Sequence, residues 1–158
     1  MKTMRSAQDW LDEYSESHQN PVNKAVHWIC VPLIALTVIG LFWSLPVPAA
    51  FEQISPAMNW GTLFMMASVV YYFIMSPRLA VGMLGVIALF AAILVWLDGL
   101  RTPLWLICVA VFALAWVGQF LGHAVEGKRP SFFKDLQFLM IGPMWLLSFV
   151  YRRLGIRY

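Results

Sequence analysis

The sequence predicts an all-α integral membrane protein. The expected form is a helical bundle of about four transmembrane helices, with an N-terminal amphipathic helix and a C-terminal re-entrant or interfacial helix. Three observations predict it. Of 158 residues, 61% are hydrophobic and only 12% charged, about half the charged share of soluble domains. The mean hydropathy of +0.71 implies more apolar surface than a soluble chain of this size can bury. Apolar runs of bilayer-spanning length recur between short polar turns.

Each element follows from local signals. In "SAQDWLDEYSESH", residues 6–18, Trp10, Leu11 and Tyr14 lie at near-helical spacing with acidic residues between them, which predicts an amphipathic helix. Asn20 suits an N-cap and Pro21 the first helical position. A helix should start there and carry the first span, near 22–45, with Pro32 inside it. Residues 46–59 read as a loop without Lys or Arg. The second span is expected near 60–75, and the third near 79–97, where Gly82 and Gly85 suit close helix contact. "DGLRTP", 98–103, reads as a tight turn before the fourth span, near 104–122. Trp28, Trp60, Trp96 and Trp105 fall near span ends, where interfacial aromatics sit. After the polar stretch "HAVEGKRPSFFKD" comes a last apolar segment, 136–151, interrupted by Gly142-Pro143. It is short for a span, which favours a re-entrant or interfacial helix.

The segments read as one membrane domain over 1–158, compatible with a homo-oligomer. Lys2, Arg5 and Lys24 precede the first span; Lys128, Arg129 and Lys134 follow the fourth; Arg152, Arg153 and Arg157 come last. The positive-inside rule then puts both termini in the cytoplasm, in a bacterial inner membrane or, in a eukaryote, the endoplasmic-reticulum membrane. The net charge of +3 is explained by that orientation and not by nucleic-acid binding. The leader lacks the apolar core and cleavage site of a signal peptide, so the first span is expected to be retained. Cys30 and Cys108 lie in apolar runs and read as small hydrophobes, not as a disulfide.

The three histidines carry the functional signal. His18 and His27 precede or open the first span, and His123 follows the fourth. Four crossings return the chain to one face, so all three share it. Three neutral imidazoles are a ligand set for Fe, Zn or Cu with open coordination positions. Asn23 and His27 are four residues apart on one helical face. Glu126, three residues after His123, is placed to hydrogen-bond the imidazole or to ligate, and Gln119, four residues before it, shares its face. Spacing alone leaves open a second reading, interfacial polar residues on a non-enzymatic scaffold or lipid-binding protein, and a third, a haem held by two histidines. No phosphate loop, nucleophile elbow or zinc motif is present in the sequence.

Two motifs at opposite ends resemble a known family. One is His18, Asn23, His27 and Pro32; the other is Trp116, Gln119, Phe120, Gly122, His123, Glu126, Lys128 and Pro130, followed by Gly142-Pro143. Together they are similar to the small multi-span proteins related to the fungal endoplasmic-reticulum 2-hydroxy fatty acid dioxygenase of phytosphingosine breakdown. The resemblance implies Fe(2+)-dependent α-oxidation, in which a 2-hydroxy fatty acid and O2 give a fatty acid one carbon shorter. It implies His18, His27 and His123 as iron ligands, with Asn23, Gln119 and Glu126 as the accompanying catalytic candidates. Membrane lipid is the expected surroundings of the acyl chain.

Overall fold

The computed structural model describes residues 5–130 and 137–158. Lys2, Lys134 and residue 136, the expected start of the last helix, lie outside the described residues. Every regular element described is an α-helix. Helix α1, Ala7–Ser15, opens on a capping box in which Ser6 Oγ accepts from the Asp9 N–H and the Asp9 carboxylate accepts from the Ser6 N–H. Helix α2, Pro21–Trp43, has Asn20 as N-cap, its Oδ1 accepting from the Val22 N–H at 2.8 Å. Residues 49–54 differ from the expected loop: they form a short helix, α3, Ala49–Ile54, with no buried residue. Pro48 presets the entry, Ala-Ala favours the helical turn, and Phe51 rests on the Trp60 ring at 4.9 Å. Helices α4 (Trp60–Met75), α5 (Pro77–Asp98), α6 (Leu104–Glu126) and α7 (Phe138–Arg153) complete the chain.

α6 runs on to Glu126 because the helix stop is Gly127, at φ +72°, whose N–H closes on the His123 and Ala124 carbonyls. The polar stretch is therefore partly helical, and it carries the last turn of α6 past the apolar run.

Helices α2, α5 and α6 are 22 or 23 residues long and apolar enough to cross a membrane; α4 is apolar but has 16 residues. Their outward faces are hydrocarbon: Val81, Leu89, Val95, Leu114 and Leu121 are exposed. The fold is thus a helical membrane bundle. In lipid, helices associate through close fit, because apolar side chains gain nothing by leaving apolar solvent. α2 and α6 form the most extensive pair. Gly118 and Gly122, one turn apart on α6, make the approach possible: a Cβ at Gly118 would stand 2.7 Å from Cys30 Sγ, and one at Gly122 2.6 Å from Asn23 Oδ1. Cys30 and Cys108 are buried free thiols. Of the two glycines expected to pack, Gly82 meets Tyr151 of α7, while Gly85 faces open space.

α1 and α7 close the histidine-bearing end. The Trp145 indole N–H donates to Ser15 Oγ at 2.8 Å, the Tyr72 hydroxyl to the Met140 carbonyl at 2.9 Å, and the Tyr151 hydroxyl to the Arg78 carbonyl at 2.9 Å. These bonds tie α7 to α1, to α4 and to the start of α5.

Candidate metal centre

His18 lies in the link between α1 and α2, His27 in the second turn of α2, and His123 in the last turn of α6. The link is short because α1 ends at Ser15 and Pro21 already begins α2. Its polar backbone is gripped by the end of α6. The Glu126 carboxylate accepts from the Gln19 N–H at 2.8 Å, the Asn20 N–H at 2.8 Å and Asn23 Nδ2 at 3.1 Å, while Lys128 Nζ donates to the Glu16 carbonyl at 2.6 Å. A carboxylate at the start of α2 also faces the positive end of that helix. The grip folds the link back, so that His18 lies over His27.

The three rings then meet. Centroids are 4.2 Å apart for His18–His27, 5.0 Å for His18–His123 and 4.9 Å for His27–His123, all edge to face. All three side chains are buried, and one ligand nitrogen from each lies within 4.8 Å of the others. His18 Nδ1–H donates to the Tyr14 carbonyl at 2.5 Å, and His27 Nδ1–H to the Asn23 carbonyl at 2.8 Å. A carbonyl cannot donate, so each Nδ1 must carry the hydrogen and each Nε2 a lone pair. Yet His18 Nε2 and His27 Nε2 face each other at 2.8 Å. A hydrogen between them would require a buried imidazolium. Desolvation, with the neighbouring His27 charge next, pushes the His18 pKa down to about 3, so that form is disfavoured at neutral pH.

Two converging lone pairs call for an electrophile, and bonds of about 2.1 Å to imidazole nitrogens would let one ion reach both. His123 brings a ring nitrogen within 4.8 Å of those of His18 and His27, a third donor to a metal. The residues therefore fit a metal ion. The adjoining cavity, about 40 Å³, is lined by His27, His123, Gln119, Tyr14, Pro130 and apolar side chains.

The candidates named from the sequence take different places. Gln119 is buried at this cavity and its Oε1 has no partner. Asn23 is fully buried, and its amide N–H groups go to the Ser17 carbonyl at 3.2 Å and to Glu126. Its Oδ1 points at Gly122. Glu126 has its described hydrogen bonds with the link and Asn23.

Tyr14 is a site residue that sequence reasoning treated only as part of an apolar face. Its ring stacks on His18 at 4.2 Å and 13°, its carbonyl holds His18 Nδ1, and it lines the cavity. Burial pushes its pKa well above the usual tyrosine value, so the hydroxyl is a donor. The four-residue Tyr14–His18 spacing was the available signal. Trp145, 5.3 Å from His18, backs the ring from α7 and has no such local signal.

A family model described as Mpo1-like, 2-hydroxy-palmitic acid dioxygenase Mpo1-like, matches residues 4–154. No curated protein and no solved structure matches the chain.

Proposed function

This chain belongs to the Mpo1-like family, and from that premise we propose that it is a membrane-embedded, Fe(2+)-dependent dioxygenase. It converts a 2-hydroxy fatty acid and O2 into the fatty acid one carbon shorter. The observation that carries the reading is the pair of Nε2 lone pairs of His18 and His27, 2.8 Å apart and buried, with a ring nitrogen of His123 within 4.8 Å of them.

His18, His27 and His123 hold the ion. Iron(II), when bound, supplies the electron transfer to O2 and open positions for ligands. The Nδ1–H bonds of His18 and His27 to backbone carbonyls fix the tautomers and aim the ligand atoms. Gln119 Oε1 accepts the hydrogen of the substrate's 2-hydroxyl, and the Tyr14 hydroxyl donates to its carboxylate. Asn23 and Glu126 hold the α1–α2 link, so they position His18 and His27. Tyr14, Trp145 and Val31 keep bulk water out. The balance closes without an external reductant. The carboxyl carbon leaves as carbon dioxide, and O2 accepts all the electrons, its oxygens ending in the new carboxylate and in water. The site lies at the cytoplasmic face of the membrane, the face that also bears both termini.

The test is incubation of the purified, iron(II)-loaded protein with 2-hydroxypalmitate and O2. Pentadecanoic acid is expected, with about one iron per chain, the ligand set being a single trio. His18→Ala and His123→Ala should each lose both iron and product. Bound iron without product would retire the reaction and keep the metal site. No binding of iron, with the histidines replaceable, would sink both.

A further inference from the structure

The substrate named above needs a place for a long hydrocarbon chain, which the histidine cavity of about 40 Å³ cannot hold. We propose that the chain leaves this cavity past Leu139 and runs into an apolar channel between α2, α4, α5 and α7; this rests on the proposed function and extends it.

A second cavity, about 30 Å³, lies inside those four helices. Leu139 lines both cavities and is the wall they share. One face of α2 also runs through both. His27, Val31 and Ile34 line the first, then Ala35, Val38 and Ile39 the second. These positions recur at three- and four-residue steps, a single stripe of the helix. From His27 to Ile39 that stripe is about 18 Å long at about 1.5 Å per residue, a depth suited to a long acyl chain and wasted on a short one.

The inner cavity has the chemistry of a hydrocarbon site. Its only polar side chains among the described residues are Ser68 and Tyr72. Both are already satisfied, the Ser68 hydroxyl by the Phe64 carbonyl at 2.8 Å and the Tyr72 hydroxyl by the Met140 carbonyl at 2.9 Å. No side-chain polar group among the described lining residues is left to hold water, and apolar cavities of this kind take apolar guests.

The dividing wall is built to yield. Pro143 has no N–H for the Leu139 carbonyl one turn earlier, so α7 lacks a helical bond at that point. Met83 and Met140, which flank the cavity, are unbranched and adapt to the guest. The two small cavities join when Leu139 turns aside. Phe64, stacked on Phe42 at 5.0 Å, closes the far end.

The direct test uses 2-hydroxypalmitate with a diazirine at the end of its chain. It is bound without O2 to the iron(II)-loaded protein and photolysed. Label is expected on inward residues of α4 and α5, such as Phe64, Ser68 or Phe90. Label confined to lipid-facing residues, such as Leu89 or Val95, would overturn the channel. A second arm is Ala35→Phe, which fills the channel beyond Leu139. It should lower kcat/KM for 2-hydroxypalmitate about tenfold or more, leaving 2-hydroxyoctanoate turnover and iron content unchanged. Equal losses for both acids, or none, would also overturn it. If no 2-hydroxy acid of any length is turned over, the proposed reaction fails, while the labelling still decides the channel.

Discussion

Glu126 shows how one side chain sets a site it does not touch. Its carboxylate takes three hydrogen bonds from Gln19, Asn20 and Asn23, residues more than a hundred positions earlier in the chain. Those bonds hold the link that presents His18. Glu126→Gln keeps the size and one acceptor oxygen but loses the charge facing the start of α2. Metal affinity should fall about 10–100-fold, as for other residues that orient ligands, with helical content unchanged. Metal titration followed by circular dichroism checks it, and an unchanged affinity would show the grip to be dispensable. The sequence did point to Glu126, through its spacing from His123. The partner it found is instead the far end of the chain, which no local spacing encodes. His18, His27 and His123 were singled out on a different ground, the expectation that four crossings return the chain to its starting face; the structure brings their rings together.

At the scale of elements, the α2–α6 pair sets the distance between His27 and His123. Gly122→Ala puts a methyl 2.6 Å from Asn23 Oδ1, so Asn23 must move, and Asn23 carries both the His27 contact and a Glu126 bond. Gly85→Ala meets open space and gains about 1 kcal/mol of helix propensity. The expected outcome is opposite signs: Gly122→Ala loses bound metal and melts lower, while Gly85→Ala keeps its metal and melts the same or higher. Thermal unfolding with metal analysis distinguishes them, and equal behaviour would remove the close approach as the cause. Helix ends were readable at Asn20-Pro21, because caps are local chemistry. The extension of α6 to Glu126 was missed because polarity, read along the chain, concealed a helix whose stop is Gly127.

For the whole molecule, the proposed topology is four crossings with both termini on the histidine face. Single cysteines placed near each end, in a background where Cys30 and Cys108 are replaced, should both react with an impermeant maleimide from the same side of sealed vesicles. Termini labelled from opposite sides would require an odd number of crossings and a new placement for α4 or α7. Both cysteines pack against glycines across the α2–α6 contact, so serine at each is the conservative background.

Composition and run length decided the membrane class and the helical fold, because a bilayer demands long apolar helices whatever their neighbours, and local caps such as Asn20-Pro21 marked helix starts. Motifs at the two ends carried the family and the histidine trio. Tertiary structure decided the rest. It turned His18 onto His27, gave Glu126 to the α1–α2 link, brought Tyr14 and Trp145 to the His18 ring, and opened an apolar cavity behind Leu139. Those are contacts between residues far apart in the chain, fixed by how closely α2 and α6 approach and how α1 and α7 close the end. Local sequence states which side chains are available; only packing sets the few ångströms that turn three imidazoles into one site.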